Sequence, residues 1–129
     1  MLDDRSALAS DGITQLEREL LIRDFVEAMN LHDTTALTPF LHREIRYHGG
    51  GGQDVNGSRA VLGLYDRMMR RFPQFKLKID HLTFVENAVF VEETVWVSAA
   101  QSCAGHTFPA FAAFLIKDFQ IVGWNQFYG

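Results

Sequence analysis

The chain has 129 residues, 47% hydrophobic and 12% aromatic, and its 12 Lys and Arg against 16 Asp and Glu give a formal charge of -4. That length supports a core without metals or disulfides and leaves no room for a second domain, so residues 1–129 read as one soluble domain with 1–10 flexible. The negative charge excludes nucleic acid and membrane surfaces as partners, because both recruit clustered Lys and Arg; Arg67, Arg70, Arg71, Lys76 and Lys78 read as a solvated face.

Ser10 and Asp11 precede a region whose apolar residues Leu21, Ile22, Phe25, Val26 and Met29 recur at helical spacing. Thr14 with Glu17 forms a capping-box pattern, and together they predict a helix from Ile13 to Leu31. Asp33 can cap a short second helix from Thr34 to about Leu41, with Pro39 weakening it toward a 3₁₀-like turn. Glu44 to His48 reads as a brief strand. The four glycines Gly49 to Gly52, followed by Gln53, Asp54, Val55, Asn56 and Gly57, read as a mobile loop.

Ser58 is the expected cap of a third helix, in which Val61, Leu64, Tyr65, Met68 and Phe72 make one apolar stripe up to Pro73. The period then changes to two: Phe75, Leu77, Ile79 and His81 alternate with Lys76, Lys78, Asp80 and Leu82. Ala88 to Ala100, His106 to Lys117 and Gln120 to Tyr128 predict three more strands. The expected turns are at Asn87, Ser102 to Gly105, and Asp118 with Phe119. Three helices and a small strand ahead of four long strands predict an α+β fold, an antiparallel sheet curled around helices. Such a sheet leaves an interior cavity, where a surplus of aromatics, eleven of them Phe, finds a use.

The single Cys103 cannot form an intrachain disulfide and has no thiol-nucleophile signature around it. Met1 to Ser10 carries Asp3, Asp4 and Arg5 and does not read as a signal peptide, and no apolar run reaches membrane-spanning length. The expected location is cytoplasmic. The glycine run lacks the Gly-Lys-Ser/Thr of a phosphate loop, and no GxSxG elbow is present.

The segments IRDFVEAMNLHDTTALTPFLHREIRYHG, VNGSRAVLGLYDRMMRRFPQFKLKI, NAVFVEETVWV and IKDFQIVGWNQFY resemble the nuclear transport factor 2-like superfamily. Within it the chain is most similar to the SnoaL-like polyketide cyclases, the ketosteroid isomerases and the limonene epoxide hydrolases, from Ile13 to the end. The resemblance implies a cystatin-like cone, with the sheet wrapped around three N-terminal helices. The isomerase general base falls at the position of His48, its oxyanion-hole Tyr on Phe25 and its protonated acid near Ala112, so that chemistry lacks its electrophile here. The epoxide hydrolase Arg and two Asp fall on Glu93, Val95 and Gln126. His at the position of His48 matches the SnoaL-like group better.

Strand parity is independent of that resemblance. Val89, Val91, Glu93, Val95 and Val97 share one face, and Phe90, Glu92, Thr94, Trp96 and Ser98 the other. By resemblance the first face is concave. A lone carboxylate among valines has its charged form penalised by desolvation, which makes Glu93 a candidate acid or base, or else one half of a buried structural pair. His106, Phe108, Ala110, Ala112 and Phe114 share a face of the next strand, and Val122, Trp124, Gln126 and Tyr128 share the expected inward face of the last.

Phe25, Tyr65, His81, Val95, Phe108, Ala110, Ala112, Trp124, Gln126 and Tyr128 are the candidate ligand-binding residues around an apolar pocket; singly, each ring can equally be core, and His81 a satisfied core histidine. His48 is the candidate general base, beside glycines that allow a lid, or else a surface histidine in a loop. No HxH or HExxH spacing announces a metal, and no cofactor is called for. The expected activity is cofactor-independent acid–base chemistry by His48 and Glu93. It would cyclise, isomerise or dehydrate an apolar polyketide-, terpenoid- or steroid-like substrate next to a carbonyl. The alternative is a non-catalytic module of the same fold for binding a hydrophobic ligand or for dimerisation. By resemblance, Phe90 and Trp96 on the outer sheet face would join two copies.

Overall fold

Helix α1 (Asp4–Asn30) presents Ile22, Phe25, Val26 and Met29, all buried, at the spacing of one helical face. The computed structural model describes residues 4–98 and 104–128. The helix begins well before the capping-box pattern, and Thr14 and Glu17 lie inside it. Ala7, Leu8 and Ala9 are strong helix formers, and the pattern marks a start only where the preceding residues cannot continue the helix.

The chain leaves α1 through His32, whose backbone is left-handed at φ 57. Asp33 then caps α2 (Thr34–Leu37) as expected, its carboxylate accepting from the Thr35 N–H at 2.9 Å. Pro39 lies in the 3₁₀ turn Thr38–Phe40. Helix α3 (Ser58–Arg71) is capped by Gly57 at φ 92, and not by Ser58, which is its first helical residue. A side chain at that φ would be strained, which reserves the position for glycine.

The strands are β1 (Leu41–His48), β2 (Asp54–Asn56), β3 (Gln74–Val85), β4 (Ala88–Ser98), β5 (His106–Lys117) and β6 (Gln120–Tyr128). They form one curled, unclosed sheet in the order β2-β1-β6-β5-β4-β3. Every pair is antiparallel except β1 with β6, which is parallel. The sheet is therefore mixed, not wholly antiparallel as expected. Asp54 to Asn56, expected to be loop, is a strand because each residue pairs with Arg46, Tyr47 or His48. Residues 99 and 100, and Ser102 and Cys103 of the turn expected at 102–105, lie outside the described residues.

Two register breaks decide which side chains face inward. On β3 Ile79 pairs with Glu93 but His81 pairs with Glu92, so Asp80 is an extra residue. Beyond this bulge the inward residues are Leu82 and Phe84, and His81 is exposed. Between β5 and β6, Leu115 pairs with Gly123 and Ile116 with Ile121, which makes Val122 the extra residue and removes it from the inward set.

Strand β3 is a sheet edge, and α1 covers it. The Asn30 side chain donates to Leu77 O and accepts from Leu77 N–H, both at 2.8 Å, as a neighbouring strand would. His32 meets Phe75 O at 2.7 Å. These contacts satisfy backbone groups that an open edge would offer to another chain. Among the described residues no helix is long and apolar enough to cross a membrane.

Candidate active site

The concave side of the sheet holds a cavity of about 40 Å³ between the sheet and helix α3. Its wall comes from six elements, beginning with Met29 of α1, Tyr47 of β1, Tyr65 and its apolar neighbours of α3, Phe75 and Leu77 of β3, and Val95 of β4. Trp124, Gln126 and Tyr128 of β6 complete it. Of the residues named from the sequence, Tyr65, Val95, Trp124, Gln126 and Tyr128 line this cavity. Among the described residues, no Lys, Arg or His lines the cavity.

Glu93 is 3% exposed and is not itself part of the cavity lining; it meets the lining through Gln126. The pairing runs Ile79–Glu93–Ala110–Tyr128 across β3 to β6, and the adjacent row is Val91–Ala112–Gln126. Strands β4 and β6 are separated by β5, so their backbones lie roughly 10 Å apart. Only because β5 carries Ala110 and Ala112 in these rows can Gln126 Nε2 reach Glu93 Oε1, at 3.5 Å. These alanines are buried and outside the cavity lining, and they make room for the polar pair.

Burial pushes the Glu93 carboxyl up to about 7 from the ordinary 4.5, opposed by the hydrogen bond from Gln126 and reinforced by the negative charge of Asp80. Burial also raises the Tyr47 hydroxyl far above its ordinary range, with Tyr128 and Glu93 adding to the effect. Tyr128 is raised by burial and then by Glu93. Both therefore stay protonated and able to donate. The Tyr65 hydroxyl, raised to about 12 chiefly by burial, donates to Met29 O at 2.5 Å.

The structure separates the two expected catalytic residues. Leu41, Ile45 and Tyr47 are the buried residues of β1, while Arg46 and His48 alternate to the outer face. There His48 Nδ1 meets Asp54 Oδ1 at 2.7 Å, beside Arg46 and Asn125. His48 does not reach the cavity. His81 is also corrected to the outside by the Asp80 bulge.

Phe25 is wholly buried and packs edge-on against Phe40, Phe114 and Trp124 with ring centroids 5.3–5.8 Å apart, so it is core and not lining. Phe108 supports Tyr128 edge-on at 5.9 Å without lining the cavity. The residue that the sequence reading missed is Tyr47. Its signal was the alternation of Ile45 and Tyr47 with Arg46 and His48.

The glycine run packs against Tyr47 and Tyr128 of this site. Gly49 N–H donates to Gln53 O at 2.8 Å, and Gly52 N–H to Gly49 O at 3.0 Å. A Cβ on Gly49 would lie 3.1 Å from the Tyr47 hydroxyl. One on Gly50 would lie 3.1 Å from Tyr128 Cδ2 and 3.3 Å from Gln126 O. The backbone approaches both tyrosines too closely for side chains.

A family model described as a SnoaL-like domain matches residues 22–124. The fold is similar to that of an LEH-like epoxide hydrolase from M. tuberculosis, at 22% identity and TM-score 0.77, over 88% of this chain and 84% of that one. It is similar too to a hypothetical protein with a ketosteroid isomerase-like fold from Catenulispora acidiphila (13% identity, TM-score 0.78, 84% and 85% covered). A protein from Shewanella putrefaciens, provisionally named a SnoaL-like polyketide cyclase, matches at 14% identity and TM-score 0.78, with 99% and 89% covered. No curated protein matches the chain significantly. The matched span takes in all three helices' core faces and the sheet as far as Trp124, and the chain belongs to the SnoaL-like domain family.

Proposed function

We propose that the chain is a cofactor-independent enzyme that moves a proton next to a carbonyl in a small, uncharged and mainly apolar substrate. Glu93 takes up or delivers the proton, and the Tyr47 and Tyr128 hydroxyls donate hydrogen bonds to the substrate oxygen. One observation carries this reading: a carboxyl only 3% exposed, balanced between its charged and neutral forms near pH 7, lies directly behind Gln126 and close to two protonated hydroxyls that line an apolar cavity. The absence of a cation from the described lining argues against an anionic substrate.

The test needs no knowledge of the natural substrate. A small cyclic ketone such as cyclohexanone, held in D₂O with the protein, reports proton abstraction as loss of its α-proton signal by NMR. The parent should accelerate exchange, and Glu93→Gln should lose on the order of 10²- to 10⁴-fold of that acceleration. Exchange no faster with the parent than in buffer would sink the proposal.

The size of the cavity favours a second reading, a non-catalytic dimerisation module of the same fold. About 40 Å³ is well below the roughly 300 Å³ at which drug-sized ligand pockets begin. A polyketide- or steroid-sized ligand would have to displace rings. We also propose that two copies associate through the outer sheet face, where Phe90, Trp96, Phe111, Leu115 and Phe127 are each more than a third exposed.

A further inference from the structure

We infer that Trp124 is a positioning residue for Glu93: it fixes the Gln126 side-chain amide in one orientation and so holds an N–H donor against the buried carboxyl. This rests on the reading of Glu93 as the proton-carrying group.

Donor and acceptor chemistry fixes the orientation of this amide. An indole N–H can only donate, and a backbone carbonyl can only accept. Trp124 Nε1 meets Gln126 Oε1 at 3.0 Å, and Gln126 Nε2 meets Phe111 O at 3.1 Å. A flipped amide would set N–H against N–H at Trp124 and oxygen against oxygen at Phe111. Both partners therefore demand the same orientation, which leaves the second Nε2 proton facing Glu93 Oε1. Gln126 is 4% exposed and Trp124 6%, so water does not compete freely for these groups.

Without the indole N–H the amide is released on one side. It can then turn its oxygen to Glu93, which favours a protonated carboxyl and opposes an ionised one. The titratable groups that act on Glu93 are Tyr47 on β1, Tyr128 on β6 and, from the outer side of the sheet, Asp80 of β3, whose carboxylate accepts from Thr94. None is cationic, so the Gln126 amide is the group among them that favours the charged form. It holds the Glu93 midpoint below where burial alone would set it.

The experiment is a ¹³C NMR titration of protein labelled at glutamate, without substrate, with the Glu93 signal assigned by its loss in Glu93→Gln. Gln126→Met and Trp124→Phe should each raise the Glu93 midpoint by about one pH unit, tenfold in proton affinity. A midpoint unmoved in Gln126→Met overturns the inference as a whole. A shift in Gln126→Met with none in Trp124→Phe overturns the role of Trp124. If Trp124→Phe fails to fold, benzothienylalanine at position 124 keeps the bicyclic ring and removes only the N–H, and the same comparison applies. Failure of the ketone exchange assay would leave these titrations untouched, so the inference and the proposed activity fail separately.

Discussion

Tyr47 and His48 are neighbours on β1 and face opposite sides of the sheet: Tyr47 enters the cavity, and His48 pairs with Asp54 outside it at 2.7 Å. Their substitutions should therefore separate. Tyr47→Phe should lower ketone exchange on the order of 10²-fold, the typical loss when one donor to a developing oxyanion is removed. His48→Ala should leave it within a few-fold of the parent. A large loss in His48→Ala, with Tyr47→Phe unaffected, would move the site to the outer face.

Glu93 should give stability a definite pH dependence. Its folded carboxyl is raised to about 7 from 4.5, so between these values the folded protein holds the proton more tightly than the unfolded chain does. Stability from this group is present below about pH 4.5 and is lost as pH rises through 7, amounting to roughly 3 kcal/mol. Glu93→Gln removes this slope. Urea unfolding at pH 5 and pH 8 should show the variant gaining on the parent at the higher pH; parallel curves would mean that Glu93 is not held neutral by burial.

The glycine run should tolerate side chains poorly at its start. Gly50→Ala places a Cβ 3.1 Å from the Tyr128 ring and 3.3 Å from Gln126 O. The ring must move, and crowding of this kind costs about 1–3 kcal/mol. At Gly52 an added Cβ would meet no heavy atom within 4 Å, but φ is 87, so Gly52→Asn, which accepts that backbone, should cost less. Chemical denaturation of both variants gives the ranking, and equal costs would show that Gly50 does not press on Tyr128.

Ala112 keeps the space through which Gln126 reaches Glu93. Ala112→Leu should lose about 1–3 kcal/mol to overpacking and should also raise the Glu93 midpoint in the ¹³C titration by parting the pair. A destabilised variant with an unshifted midpoint would mean that the contact survives by another route.

The outer face should hold two copies together. Sedimentation at micromolar concentration should give twice the 14.7 kDa chain mass, and Phe90→Glu with Trp96→Glu should return the single-chain mass, because charge in an apolar contact is costly. A parent that sediments as one chain removes the proposal.

By itself the sequence determined whatever depends on local period and composition. The apolar stripe of α1 follows from Ile22, Phe25, Val26 and Met29, the cap of α2 from Asp33, and the burial of Glu93 from its place among alternating valines of β4. These hold because a helix or an unbroken strand repeats its own geometry, so spacing alone assigns the face. The tertiary structure decided what depends on register and on packing between elements. One extra residue at Asp80 sends His81 outward, one at Val122 takes that side chain from the cavity, and pairing with β1 turns Asp54 to Asn56 into a strand. A sheet has a period of two, so each single-residue slip inverts everything beyond it. The volume left for a ligand, and the Trp124–Gln126–Glu93 chain beside it, were likewise settled by side chains from distant segments meeting across two alanines.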